Sequence, residues 1–201
     1  MGLTVSTWVI VLVKDFDSAK QRLGPALDPS ARRALARRNA ELAVRASAAG
    51  DHRLVVAGSE EVASLASELG VEALLEPRQE GQNVAAARGI AFAVERGAQA
   101  VLLLSSDLPL VTNDAVHNVL VAGARVPAPA ALAVAAVGRG GTNALYLRPP
   151  DAIQLHFGSD SLARFRHEAE DRGVNFSIHE SEAMALDLDE PDDLARTRRA
   201  V

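Results

Sequence analysis

A single α/β domain, with a mostly parallel central sheet flanked by helices, is the fold class this chain predicts. Three observations predict it. Short apolar runs alternate with longer helical stretches in the order βαβαβαβα, the pattern of a parallel sheet covered on both faces. A length of 201 residues suits one domain with a full hydrophobic core. No internal repeat and no long linker divides the chain, so the domain is read as 1–201.

The elements follow in order. "TWVIVLV" (7–13) is a buried strand. A long helix runs from Asp28 to Ala49, with Asp28 as cap and Pro29 in the first turn. "HRLVVAG" is a second strand, and "SEEVASLASELG" a helix stopped by Gly70. "VEALLE" is a third strand, followed by the helix "QNVAAARGIAFAVERG". "AVLLLSS" is the fourth strand, before the helix "TNDAVHNVLVAGA". The later half is less regular: a loop at "VPAPAA", strands at "ALAVAAV", "NALYLRP" and "VNFSIHE", and a helix around 160–172.

Composition excludes several chemistries. With no cysteine, disulfides, thiol nucleophiles and zinc–thiolate sites are out. A net charge of −5 argues against broad nucleic-acid binding. The apolar start is too short to cross a bilayer and lacks a basic leader, so a soluble cytoplasmic protein with no membrane partner is expected. "MGLTVS" formally matches a myristoylation pattern through Gly2 and Ser6; it is read as a chance match ahead of the first strand.

In open α/β sheets ligands collect beyond the carboxyl ends of the strands, and three such segments carry unusual chemistry. "VKDFDSAKQRL" holds Lys14 and Lys20, the only lysines in a chain whose other basic residues are all arginine, with Arg22 beside them. A lysine ammonium is a compact point charge suited to phosphate. Neither a P-loop nor a dinucleotide fingerprint is present. "VLLLSSDLPL" puts Asp107 directly after an apolar strand, while Thr112 and Asn113 are better placed to cap the next helix. "LDLDEPDDL" (186–194) has five acids in nine residues. Asp192 and Asp193 follow Pro191 and suit the positive end of a helix dipole. Asp187 and Asp189 are two apart, on one face of an extended strand with Leu186 and Leu188 on the other. Asp107, Asp187 and Asp189 could converge only around a cation, and an all-oxygen set suggests magnesium or manganese. Metal, basic loop and α/β sheet together suggest nucleoside-triphosphate chemistry.

The motifs "VKDFDSAKQRL", "GQNVAAARG", "SSDLPL", "GRGGTNALYLRPP", "FGSDSLARF" and "LDLDEPDDL", in this order, resemble the 2-phospho-L-lactate guanylyltransferase family, including its phosphoenolpyruvate guanylyltransferase members. The resemblance implies a GT-A-like nucleotidyltransferase fold, of nucleotide-diphospho-sugar transferase type, and a role in biosynthesis of coenzyme F-420. It implies that Lys14, Lys20 and Arg22 meet the triphosphate of GTP and that Gly81 and Asn83 contact the nucleotide. Asp107, Asp187 and Asp189 match metal-binding, catalytic aspartates, with Lys20 as their catalytic partner. Thr142, Gly158 and Ser161 match residues that hold the phosphorylated three-carbon acid. The chain departs from the family pattern at Asp15, where a proline is usual, and at Leu162 and Phe165.

The expected reaction is transfer of GMP from GTP to phosphoenolpyruvate or 2-phospho-L-lactate, by a monomer or homodimer. Rival readings are another nucleotidyltransferase of the same fold, acting on a sugar phosphate or the molybdenum cofactor, a DxD glycosyltransferase, and a non-catalytic nucleotide-binding protein.

Overall fold

The structure, a computed structural model, describes residues 5–138 and 140–194. Gly2 of the myristoylation-like match lies outside the described residues. Seven strands form one sheet in the order β3-β2-β1-β4-β6-β5-β7: β1 is Thr7–Val13, β2 His52–Ala57, β3 Glu72–Leu75, β4 Ala100–Ser105, β5 Ala130–Ala135, β6 Thr142–Arg148 and β7 Asn175–Ile178. The helices are α1 Pro29–Ala46, α2 Glu60–Glu68, α3 Gln82–Glu95, α4 Asn113–Arg125, α5 Ser161–Arg172 and the short α6 Glu182–Ala185.

Both faces of the sheet are covered at its centre, which is why β1 and β4 read as almost unbroken apolar runs. Alternate residues of β1 enter separate cores. Val9, Val11 and Val13 pack with α1, α2 and α4, whereas Trp8, Ile10 and Leu12 pack with α3 and α5. The helix caps follow the sequence signals: the Asp28 carboxylate accepts from the Ala31 N–H, and the Thr112 hydroxyl accepts from the Ala115 N–H.

The sheet is mostly parallel, with β6 reversed. It pairs antiparallel with β4 and β5, while β1, β2, β3 and β4 run together and β7 runs with β5. The reversal has a functional consequence. Leu104 pairs with Ala144, so Thr142 enters the sheet at the edge where Ser105 leaves it. That edge is also where β1 lies between β2 and β4. The chain leaves β1 towards β2 on one side and returns at β4 on the other, so a crevice opens beyond their carboxyl ends.

One contact in the core gives a stability prediction. A Cβ added at Gly123 of α4 would lie 2.5 Å from the buried Tyr146 ring. Gly123→Ala should therefore destabilise the protein by about 1–2 kcal/mol: with the added atom this close to an aromatic ring, overpacking is expected in the upper part of its range of about 1–3 kcal/mol, against a helix-propensity gain of about 1 kcal/mol. A lowered melting temperature is the expected readout; a raised one would show that the ring moves aside freely.

Candidate active site

The β1–α1 loop is pinned at both ends by apolar side chains. Phe16 and Leu23 are fully buried, and the Ala19 N–H donates to the Asp15 carbonyl. Between them Lys20 adopts a left-handed backbone, with φ 59°. For a residue other than glycine this conformation costs roughly 1–2 kcal/mol, and such strain persists only where surrounding contacts fix it. Here the contacts are at the side chain. Lys20 Nζ lies 2.6 Å from Asp107 Oδ1 and donates to the Leu188 carbonyl at 2.6 Å. The lysine side chain is fully buried, and that of Asp107 is 38% exposed.

One ammonium thus joins three distant segments: the loop after β1, the exit of β4 and the acidic C-terminal stretch. The Leu188 N–H donates to the Asp107 carbonyl at 3.1 Å, closing the same junction. At the rim, Arg22 Nη1 stands 3.2 Å from Asp189 Oδ2. The dense negative charge of "LDLDEPDDL" is therefore answered in part by Arg22, while Lys20 ties the main chain of the stretch to Asp107.

The acidic stretch differs from the expected strand. Residues 186–189 have no regular secondary structure. They are carried by anchors instead: Met184 and Leu188 are buried, and Asn143 Nδ2 donates to the carbonyls of Met184 and Ala185 at 2.8 and 3.2 Å. No strand ladder enforces alternation here. Asp107 and Asp189 line one cleft of about 280 Å³, with Lys14, Lys20, Arg22 and Gly81. Asp187 is half-buried and is not one of the cleft-lining residues. Among the described residues, no three carboxylate or imidazole groups gather as a metal site by themselves.

The remaining candidates fall into two places. Gly81, with φ 98°, precedes α3 at the cleft. Asn83 is occupied by main chain: its Nδ2 donates to the Phe157 carbonyl at 3.1 Å and its Oδ1 accepts from the Phe157 N–H at 2.7 Å. It clamps α3 to the segment that leads into Gly158 and α5. Ser161 Oγ donates to Thr142 Oγ1 at 3.0 Å, and both residues are buried. Gly158, with φ 125°, and Gly140 hold this corner, where the Leu162 N–H donates to the Gly140 carbonyl. Thr142, Gly158 and Ser161 do come together, outside the lining of the Lys20 cleft and at the same edge of the sheet.

Several cleft residues escaped the sequence reading. Glu76, Gln79, Ser105 and Ser106 line it. Glu76 and Ser106 directly follow β3 and β4, so the strand-end rule points to them; Gln79 carried no such signal. Arg88 braces this side, bonding Glu76 at 2.9 Å, the Arg78 carbonyl and Glu80. The Glu80 hydrogen bond, against some desolvation and with help from Glu76, raises the Arg88 pKa above its ordinary value.

The family described as "Guanylyl transferase CofC like" matches residues 7–197. A phosphoenolpyruvate guanylyltransferase of Rubrobacter xylanophilus is 41% identical over 96% of this chain and 93% of its own. A 2-phospho-L-lactate guanylyltransferase of Methanothermobacter thermautotrophicus is 33% identical over 94% of this chain and 83% of its own. Among solved structures, a protein from Desulfovibrio desulfuricans G20 described as a nucleotide-diphospho-sugar transferase superposes with a TM-score of 0.73, at 18% identity, over 98% of this chain and 88% of that one. A nucleotidyl transferase from Methanothermobacter thermautotrophicus gives 0.70, at 16% identity, over 97% of each chain. These two likenesses establish the nucleotidyltransferase-type fold.

Proposed function

The chain belongs to the CofC-like guanylyl transferases, and from that premise we propose that it transfers GMP from GTP to phosphoenolpyruvate, releasing pyrophosphate, in biosynthesis of coenzyme F-420. 2-Phospho-L-lactate is the second choice of acid. The order follows the greater identity to the relative named for phosphoenolpyruvate. The observation that carries the reading is the junction at the sheet's carboxyl edge, where one buried ammonium and two partly exposed carboxylates meet in a single cleft.

In the reaction a phosphate oxygen of the acid attacks the α-phosphorus of GTP. A new P–O bond forms, the α–β bridging P–O bond breaks, and pyrophosphate leaves with the electron pair. The nucleophile is already an anion, so no strong general base is needed. The difficulty is the repulsion between two anions. Lys14 and Arg22 are assigned to the β- and γ-phosphates, supported by their place in the lining of the cleft. Lys20 offsets charge on Asp107 and keeps the β4 exit in register with Leu188.

The residues fit a divalent cation. Asp107 and Asp189 present hard oxygens to one cleft, and Asp107 already accepts a cationic group at 2.6 Å. Magnesium characteristically uses one or two carboxylates and completes its shell with phosphate and water oxygens. Asp107 and Asp189 would hold it, with Asp187 adjoining; bound there, it would neutralise phosphate charge and align the two reactants.

Thr142 and Ser161 are assigned to the acid, supported by their pairing beside Gly158. Thr142→Val should raise the KM of the acid by roughly 10- to 100-fold, the loss of a hydrogen bond to a charged group, while that of GTP stays nearly constant. An equal rise in both would remove Thr142 from the acid site. The overall reading is tested by incubating the protein with magnesium, each common nucleoside triphosphate and a panel of phosphorylated acids and sugars, with products identified by mass spectrometry. A guanosine diphosphate diester of phosphoenolpyruvate is expected. A sugar-linked product would move the chain to the rival nucleotidyltransferase or glycosyltransferase readings.

A further inference from the structure

We propose that Asp193 is a positioning residue that fixes the main chain of Asp189 and so aims its carboxylate into the cleft. The inference rests on the reading of Asp189 as part of the active site. The sequence alone assigns Asp193 to the dipole of a helix end, where one acid is much like its neighbour Asp192. The structure separates them. Asp193 is 1% exposed, whereas Asp192 is exposed. A single carboxylate oxygen, Oδ2, accepts from the Asp189 N–H at 3.0 Å and from the Glu190 N–H at 2.8 Å.

The local geometry explains why an aspartate stands there. Residues 191–194 are helical, with Pro191 first and Glu190 in the preceding cap position. The third helical residue can reach back to the N–H of the cap, which is one half of a capping box. Asp193 does this and takes one residue more. Burial makes the contact strict, because a buried carboxylate must be satisfied by donors, and oriented N–H groups supply them.

The consequence reaches the active site through a short chain of contacts. On one side of Asp189, Leu188 is held by Lys20 Nζ at its carbonyl and by the Asp107 carbonyl at its N–H. On the other side, Asp193 holds Asp189 and Glu190. Asp189 therefore sits between two fixed points, and its side chain meets Arg22 at 3.2 Å. Without Asp193, the second point is lost, while Leu188 and the fold of the sheet remain.

Asp193→Ala and Asp193→Asn separate geometry from charge. Asparagine retains an amide oxygen able to accept both N–H groups; alanine retains none. Three measurements are made on each full-length protein: amide hydrogen exchange at Asp189 and Glu190, manganese binding followed by its paramagnetic signal, and the kcat and KM values. For Asp193→Ala we expect loss of exchange protection at both amides. We also expect a rise of about tenfold or more in half-saturating manganese, matching the loss of two hydrogen bonds, and lower kcat with little change in the acid's KM. Asp193→Asn should stay close to the unmodified protein in all three. Unchanged manganese binding in Asp193→Ala, or equal damage from Asp193→Asn, would overturn the proposal. A general loss of stability would instead change every kinetic constant together and would not be repaired by asparagine, which also counts against it. If the unmodified protein bound no manganese, the metal reading and this inference would both fall, and that failure shows before any variant is made.

Discussion

Asp107→Asn should reduce kcat by roughly 100- to 1000-fold, the size of effect seen when a charge-stabilising group is removed from an active site. The carboxylate serves twice. It faces the cleft, where on the proposed reading it would hold the cation, and it answers Lys20, whose side chain is fully buried. Amide at this position leaves the ammonium with a carbonyl partner but no countercharge. Breaking a fully buried pair costs about 3–5 kcal/mol. Asp107 is 38% exposed, so solvent screening reduces this, and a cost of about 1–3 kcal/mol is expected. Both effects are measurable at once, as turnover under saturating magnesium and as a melting temperature. Near-normal turnover with lowered stability would make Asp107 a structural anchor only.

Lys20→Met should lower turnover by a similar factor, roughly 100-fold or more, and should also lower the melting temperature. Methionine fills the buried path without burying a charge, but it leaves the Leu188 carbonyl without its donor and removes the contacts that hold the left-handed backbone of Lys20. Asp107, being partly exposed, regains water, which limits the loss on its side of the pair. Lys20→Arg should fail to restore activity. The guanidinium is planar and larger, whereas the ammonium satisfies Asp107 and Leu188 from one point at 2.6 Å each. Steady-state kinetics on the two variants check this; full activity in Lys20→Arg would show that charge suffices without the point geometry.

Much of the fold was legible because its signals are local. β1, β4 and most of β2 are buried on both faces and read as apolar runs; Asp28, Pro29 and Thr112 mark helix starts through short-range hydrogen bonding. The reversal of β6 was not legible, since a strand has the same two-residue period in either direction. The acidic stretch misled for a related reason. Alternating Leu and Asp has the period of a strand, but a strand also needs a neighbour with open ladder positions, and here anchoring falls to Met184, Leu188 and Asn143.

The site was legible where chemistry stood out against composition. Two lysines in an arginine-using chain, and an aspartate at a strand exit, drew attention to Lys20 and Asp107, which the structure brings to 2.6 Å. What escaped depends on tertiary distance. Asn83 meets Phe157 across 74 positions, and no local pattern announces that pairing. Asp193 is only four residues from Asp189, yet the role depends on burial and on one oxygen serving two donors, neither of which charge patterning reveals.

The central claim, that the cleft moves the α-phosphoryl group of GTP as GMP, is tested most directly by following label. The protein is given phosphoenolpyruvate, magnesium and GTP labelled either at the α- or at the γ-phosphorus. The α-label is expected in the guanosine diphosphate diester and the γ-label in pyrophosphate, in equal amounts. Transfer of γ-label to the acid, or its release as inorganic phosphate with GDP left behind, would contradict it.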